Sequence, residues 1–152
     1  MKILFVDIDG VLNTDGFRNF FGPSKVDPFL VENLASIVFI TGCKIVISSS
    51  WRFNMSEVFD AIQCDAFRNK PSQKMIDAVI NAIIGSTFDF GSRKDEILKW
   101  VEFPPEGITV DCWVAVDDLE LDLPDANFVL TSDESGLQMD KVREVIRKLN
   151  ID

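Results

Sequence analysis

Histidine and tyrosine are both absent from the 152 residues of this chain. Without imidazole there is no histidine-based triad, no histidine general base, no phosphohistidine chemistry and no histidine metal ligand. Any catalysis is left to carboxylates, hydroxyls, amines, thiols or backbone groups. Cysteine is scarce as well. Cys43, Cys64 and Cys112 are odd in number and widely spaced, which supports neither a disulfide framework nor a zinc knuckle and reads as free thiols in a reducing compartment. No apolar run is long enough to cross a bilayer, and Met1-Lys2 leads directly into a strand-like segment without a signal-peptide pattern. The expectation is a soluble, cytoplasmic protein with no membrane partner. Basic residues are outnumbered, 15 against 25 acidic, for a formal net charge of -10. That argues against an extended nonspecific nucleic-acid surface, which needs a basic face, but leaves room for a small basic pocket.

What is present is an apolar fraction of 47%, enough for a packed core in a chain of ordinary single-domain size. Residues 2–8, KILFVDI, form a run suited to a strand buried on both faces. CKIVIS, TVDCWVAV and ANFVLT read as further strands, and STFDF as a short strand or extended connection. Between them lie helical patterns. Asp27 and Pro28 open one that Gly42 closes, Ser56 could cap a second, SQKMIDAVINAII is stopped by Gly85, and Ser92 precedes RKDEILKWVE. A last amphipathic pattern turns Met139, Val142, Val145, Ile146 and Leu149 toward a core. Helix-linked apolar strands predict an α/β, three-layer, Rossmann-like domain over residues 1–152, with a mostly parallel sheet and helices on both faces. Residues 11–25 read as a flap, and 53–92 leave room for a small helical addition.

Three of these strands end in polar groups: Asp7 and Asp9, then Ser48 to Ser50, then Asp117 and Asp118. In open parallel sheets, ligands bind beyond the carboxyl ends of the strands, so neighbouring strands would gather these groups on one rim. Clustered carboxylates without histidine suit a hard cation such as Mg²⁺, which takes oxygen ligands and relieves their mutual repulsion. Each acidic pair alone is equally an ordinary turn former. The two pairs together with the serine cluster outweigh that reading.

FVDIDGVLN, IVISSS and VAVDD, in this order, resemble the first, second and fourth motifs of the haloacid dehalogenase-like (HAD) hydrolase superfamily, in particular its small, minimally capped phosphatase-like members. The tail VLTSDESGLQMDKVREVI resembles one seen in small members of that superfamily, some of them in proteins tied to RNA repair. The resemblance implies a Mg²⁺-dependent phosphomonoester hydrolase acting through an aspartyl-phosphate. Asp7 would be the nucleophile and Asp9 the general acid and then base. Mg²⁺ would be held by Asp7, the Asp9 backbone carbonyl and Asp117, with Asp118 through water or from behind. Gly10, Ser48 or Ser49 and a basic third-motif residue would hold the phosphate. For that residue the chain offers Arg93, Lys94 or, alternatively, Lys70. Phe17, Arg18, Phe20 and Phe21 of the flap would either meet the substrate or pack the flap, Trp51 and Arg52 would rim the pocket or serve as a core tryptophan and a surface arginine, and Asp133 would either approach the rim or form a turn. A small-molecule phosphomonoester and a phosphorylated polymer end both remain open as substrates. A noncatalytic module binding phosphate or a phosphoprotein, and a phosphotransferase, are the alternatives.

Overall fold

The computed structural model describes residues 1–150. Five strands, β1 (Lys2–Val6), β2 (Lys44–Ile47), β3 (Ile83–Ser86), β4 (Cys112–Asp117) and β5 (Phe128–Leu130), form one sheet in the order β3-β2-β1-β4-β5, and every pairing is parallel. Six helices accompany it: α1 (Asp15–Phe21), α2 (Pro28–Thr41), α3 (Met55–Ile62), α4 (Gln73–Ala82), α5 (Arg93–Glu102) and α6 (Met139–Leu149). The expected α/β, Rossmann-like architecture is what the chain adopts. Among the described residues no helix is long and apolar enough to cross a membrane.

The sheet alternation divides the core. Leu4 and Val6 of β1 pack into the larger apolar cluster with residues of α2, α4 and α6, while Ile3 and Phe5 face the smaller cluster containing Ile97 and Trp100 of α5. Trp100 meets Phe5 edge-on at 5.5 Å. Because β1 is apolar on both faces, it takes the central position that its composition predicts.

Capping chemistry sets several helix starts. Asp27 accepts from the Phe29 amide ahead of Pro28, Ser72 from the Met75 amide and Ser92 from the Asp95 amide. Gly42, at φ 68°, closes α2 in the left-handed conformation.

Some elements differ from expectation. The helix read up to Gly85 stops at Ala82, and Ile83 turns at once into β3, which takes in only Ser86 of STFDF. Two adjacent β-branched residues favour extended backbone, and a short apolar run carries no period that separates helix from strand. Ser56 lies inside α3 and donates to Asn54 Oδ1 rather than capping the helix. Met139 begins α6 but stays 42% exposed. The flap contains α1, whose start is capped by Thr14.

Candidate active site

β1 lies between β2 and β4, so the polar residues that follow these three strands share one rim. Sheet hydrogen bonding continues into them: the Asp7 amide donates to Val116 O at 3.1 Å and the Ser48 amide to Val6 O at 3.0 Å. Asp7 and Asp117 are buried and Asp118 is half-buried. One carboxylate oxygen from each falls in a group whose atoms all lie within 4.8 Å of one another.

The electrostatics of this trio are unfavourable without a cation. Burial, then the neighbouring Asp117 charge, push the Asp7 carboxyl up to about 8. Asp118 is also raised, first by burial and then by Asp117. Arg93, the first residue of α5, partly offsets this: its Nη1 lies 2.8 Å from Asp117 Oδ2 and 3.2 Å from Asp7 Oδ2. Burial disfavours the Arg93 charge, but Asp7 and Asp117 outweigh it and its pKa rises. A cation at a helix N-terminus opposes the helix dipole, and these carboxylates supply the compensation. Of the three candidate cations, Arg93 alone reaches the trio. Lys94 is paired with Asp122 at 3.1 Å and Lys70 with Asp65 at 2.9 Å.

The serines separate by role. Ser49 Oγ accepts from the Trp51 amide and caps the 3-10 turn Ser50–Asn54. Ser48 is 1% exposed and its Oγ has no hydrogen-bond partner, which is costly for a buried hydroxyl and leaves it free for a ligand oxygen.

Gly10 lets the chain pass the trio. Its φ is +82°, and a Cβ built there would fall 2.4 Å from Asp118 Cγ. Its carbonyl accepts from Thr131 Oγ1 at 2.8 Å, which ties the loop after β1 to the end of β5. Gly10→Ala should therefore destabilise the protein by at least about 1–3 kcal/mol from backbone strain alone. It should also displace Asp118 and weaken divalent-cation binding, as measured by chemical denaturation and metal titration.

The Asp9 carboxylate stands apart from the trio. Oδ1 accepts from Asn13 Nδ2 at 3.0 Å and Oδ2 from Trp51 Nε1 at 3.3 Å. Trp51 also helps line, with Phe53, Asn54, Glu57, Pro23 and Ser24, a groove of about 380 Å³. Arg52 is not a surface arginine: it pairs with buried Glu96 of α5 at 2.6 Å and donates to Ser49 O, joining the serine loop to the helix that carries Arg93. Phe17 and Phe21 of the flap pack with Phe67, whereas Phe20 is 82% exposed. Arg18 pairs with Asp133 at 2.8 Å, so Asp133 anchors the flap.

Asn13, Thr131 and Glu96 received no role from sequence. Asn13 sits within the FVDIDGVLN string, but its function depends on how the loop folds back. For Thr131 and Glu96 no local signal existed.

A family model described as "HAD domain in Swiss Army Knife RNA repair proteins" matches residues 3–142 and so takes in every residue of this rim. Neither the curated proteins nor the solved structures gave a significant match.

Proposed function

The chain belongs to the family of HAD domains in Swiss Army Knife RNA repair proteins, and on that basis we propose that it is a Mg²⁺-dependent phosphomonoester hydrolase working through an aspartyl-phosphate on Asp7. Phosphatase-type hydrolysis is the general chemistry that membership supports. The observation that carries the finer reading is the trio of Asp7, Asp117 and Asp118 with Arg93 between two of its members.

The residues fit a hard cation. Their donors are all oxygens, and a buried carboxyl raised to about 8 by its surroundings gains from a positive charge beside it. Asp7, Asp117 and the Asp9 carbonyl would hold Mg²⁺, with Asp118 in support. When bound, the ion would withdraw charge from the phosphoryl group and let an anionic carboxylate approach it.

In the first step Asp7 Oδ attacks phosphorus, the bond to the leaving oxygen breaks, and Asp9 gives that oxygen its proton. In the second, Asp9 takes a proton from water as the water oxygen attacks phosphorus, and the Asp7 carboxylate is released. Ser48 Oγ receives a phosphoryl oxygen, while the amides of Gly10, Val11 and Leu12 are already bonded within the loop, and Arg93 balances the charge of Asp7 and Asp117 as the bonds change. Ser49, whose Oγ caps the next turn, and Lys94, which is drawn to Asp122, stay outside this assignment.

The family description names RNA repair. Oligoribonucleotides phosphorylated at the 3′ or 5′ end therefore lead the substrate test, beside nucleotides, sugar phosphates and phosphopeptides. The acidic net charge suits engagement of a chain end better than of a long polyanion. Phosphate release from at least one of these esters is expected with Mg²⁺ and is lost on chelation. Release that persists under chelation overturns the metal assignment, and no release from any ester overturns the hydrolase reading.

A further inference from the structure

The chemistry assigned to Asp9 requires its carboxyl to face the leaving oxygen at hydrogen-bonding distance, roughly 2.6–3.2 Å between heavy atoms. Asp9 follows a strand end and starts a loop, so the backbone alone does not orient it. Two side chains from different parts of the fold do.

Asn13 is fully buried and its amide makes four contacts. Its Oδ1 accepts from the Gly10 amide at 3.2 Å and from Arg18 Nη1 at 2.7 Å. Its Nδ2 donates to Asp9 Oδ1 at 3.0 Å and to Lys25 O at 3.1 Å. Donors surround the oxygen and acceptors surround the nitrogen, so a flipped amide would turn its oxygen toward the Asp9 carboxylate and lose all four bonds. Arg18 lies in α1 and Lys25 at the far end of the flap. The amide that grips Asp9 is thus gripped from the middle and from the far end of residues 11–25, and Arg18 is held in turn by Asp133.

Trp51 takes the other oxygen. Its backbone amide is fixed by Ser49 Oγ, so the indole rides on the serine loop after β2. Each Asp9 oxygen receives one donor, which fixes the plane of the carboxyl group and leaves lone pairs for a substrate. Neither an amide nor an indole exchanges a proton in this pH range, so the mobile proton stays on Asp9.

We infer that Asn13 and Trp51 are positioning residues that aim Asp9 at the leaving oxygen, with the flap setting that aim through Arg18. This rests on the reading of Asp9 as the acid and base. The substrates that depend on such aiming are esters of ordinary alcohols. An alkoxide leaves poorly without a proton, whereas an acidic phenol leaves as a stable anion and needs little from Asp9.

The test compares kcat of wild type and Trp51→Phe on an alkyl phosphate and on an aryl phosphate with an acidic phenol, both with Mg²⁺. Phe keeps one aromatic ring and removes the indole donor. The ratio of alkyl to aryl turnover should fall about tenfold or more, within the range that general acid catalysis spans. Arg18→Gln, which loosens Asn13 from the flap, should move the ratio in the same direction. A second readout needs neither metal nor turnover. The Trp51 indole N–H resonance, identified by its loss in Trp51→Phe, should shift upfield in Asp9→Ala, while those of Trp100 and Trp113 stay in place and report an intact fold. Equal losses on both esters, or an unmoved Trp51 resonance, overturn the positioning role. Absence of wild-type turnover on these two esters and on every ester of the substrate panel overturns the parent reading instead, a result the two outcomes above do not mimic.

Discussion

Asp7→Asn should lower Mg²⁺-dependent phosphate release by at least about 10⁴-fold, the scale of loss when a nucleophile is removed. The same substitution should make the metal-free protein more stable at pH 8. In the folded protein the Asp7 carboxyl is raised from 3.8 to about 8, chiefly by burial and then by Asp117. Below about pH 4 both folded and unfolded chains keep the proton, and the stabilisation from the neutral acid is fully present. Between there and about pH 8 the unfolded chain gives up the proton and the folded one retains it, so this contribution falls as pH rises. Asparagine has no such proton to lose. Thermal unfolding in chelator should therefore show Asp7→Asn above wild type at pH 8, with the difference shrinking toward pH 4. A gain of about 1 kcal/mol would appear as roughly 2–4 °C in a domain of this size. An inactive variant that is also more stable separates loss of the nucleophile from loss of the fold. An active Asp7→Asn would remove Asp7 from the reaction.

Asp9→Asn should reduce turnover by about 10²–10⁴-fold, the contribution expected of a placed acid and base. Asparagine matches the shape of the aspartate but not its bonding. One side of the new group carries N–H bonds, and both neighbours, Asn13 Nδ2 and Trp51 Nε1, are donors. One of the two contacts must be lost, at about 1 kcal/mol. The reaction should divide at its second step. With an aryl phosphate the first transfer needs little acid, so one equivalent of phenol should appear rapidly. Water attack then lacks its base, and phosphate should stay on Asp7. Rapid-quench measurement of phenol followed by intact-mass detection of the phosphorylated protein tests this. Unchanged steady turnover would dismiss Asp9 as acid and base.

Much of this arrangement is legible in the sequence. The run KILFV followed by Asp suits a central strand with a charge at its tip, because a strand covered on both faces is uniformly apolar and a rim tolerates the carboxylate. Strand adjacency could not be read, since no local pattern reveals that β1 takes both β2 and β4 as neighbours. The helix starts at Asp27 and Ser92 are readable because caps are local chemistry, and the one at Ser72 is readable to within a residue of Pro71. β3 was hidden, because Ile83 and Ile84 continue the apolar content of the preceding helix without a turn residue between them. Arg93, Lys94 and Lys70 were equivalent as letters. They separate only when the start of α5 sets Arg93 against Asp117 and turns Lys94 toward Asp122. The grip on Asp9 was least visible, since Asn13 and Trp51 lie far apart in sequence and meet across the loop.

The position of β1 has a further consequence for how the molecule is made. It is the first of the five described strands and the middle one in the sheet, and its two neighbours begin at residues 44 and 112. During synthesis its β4-facing edge stays bare until the residues of β4, from 112 on, have emerged, an apolar ribbon open to other ribbons. Chains truncated before residue 112 should therefore clump rather than persist as soluble half-domains.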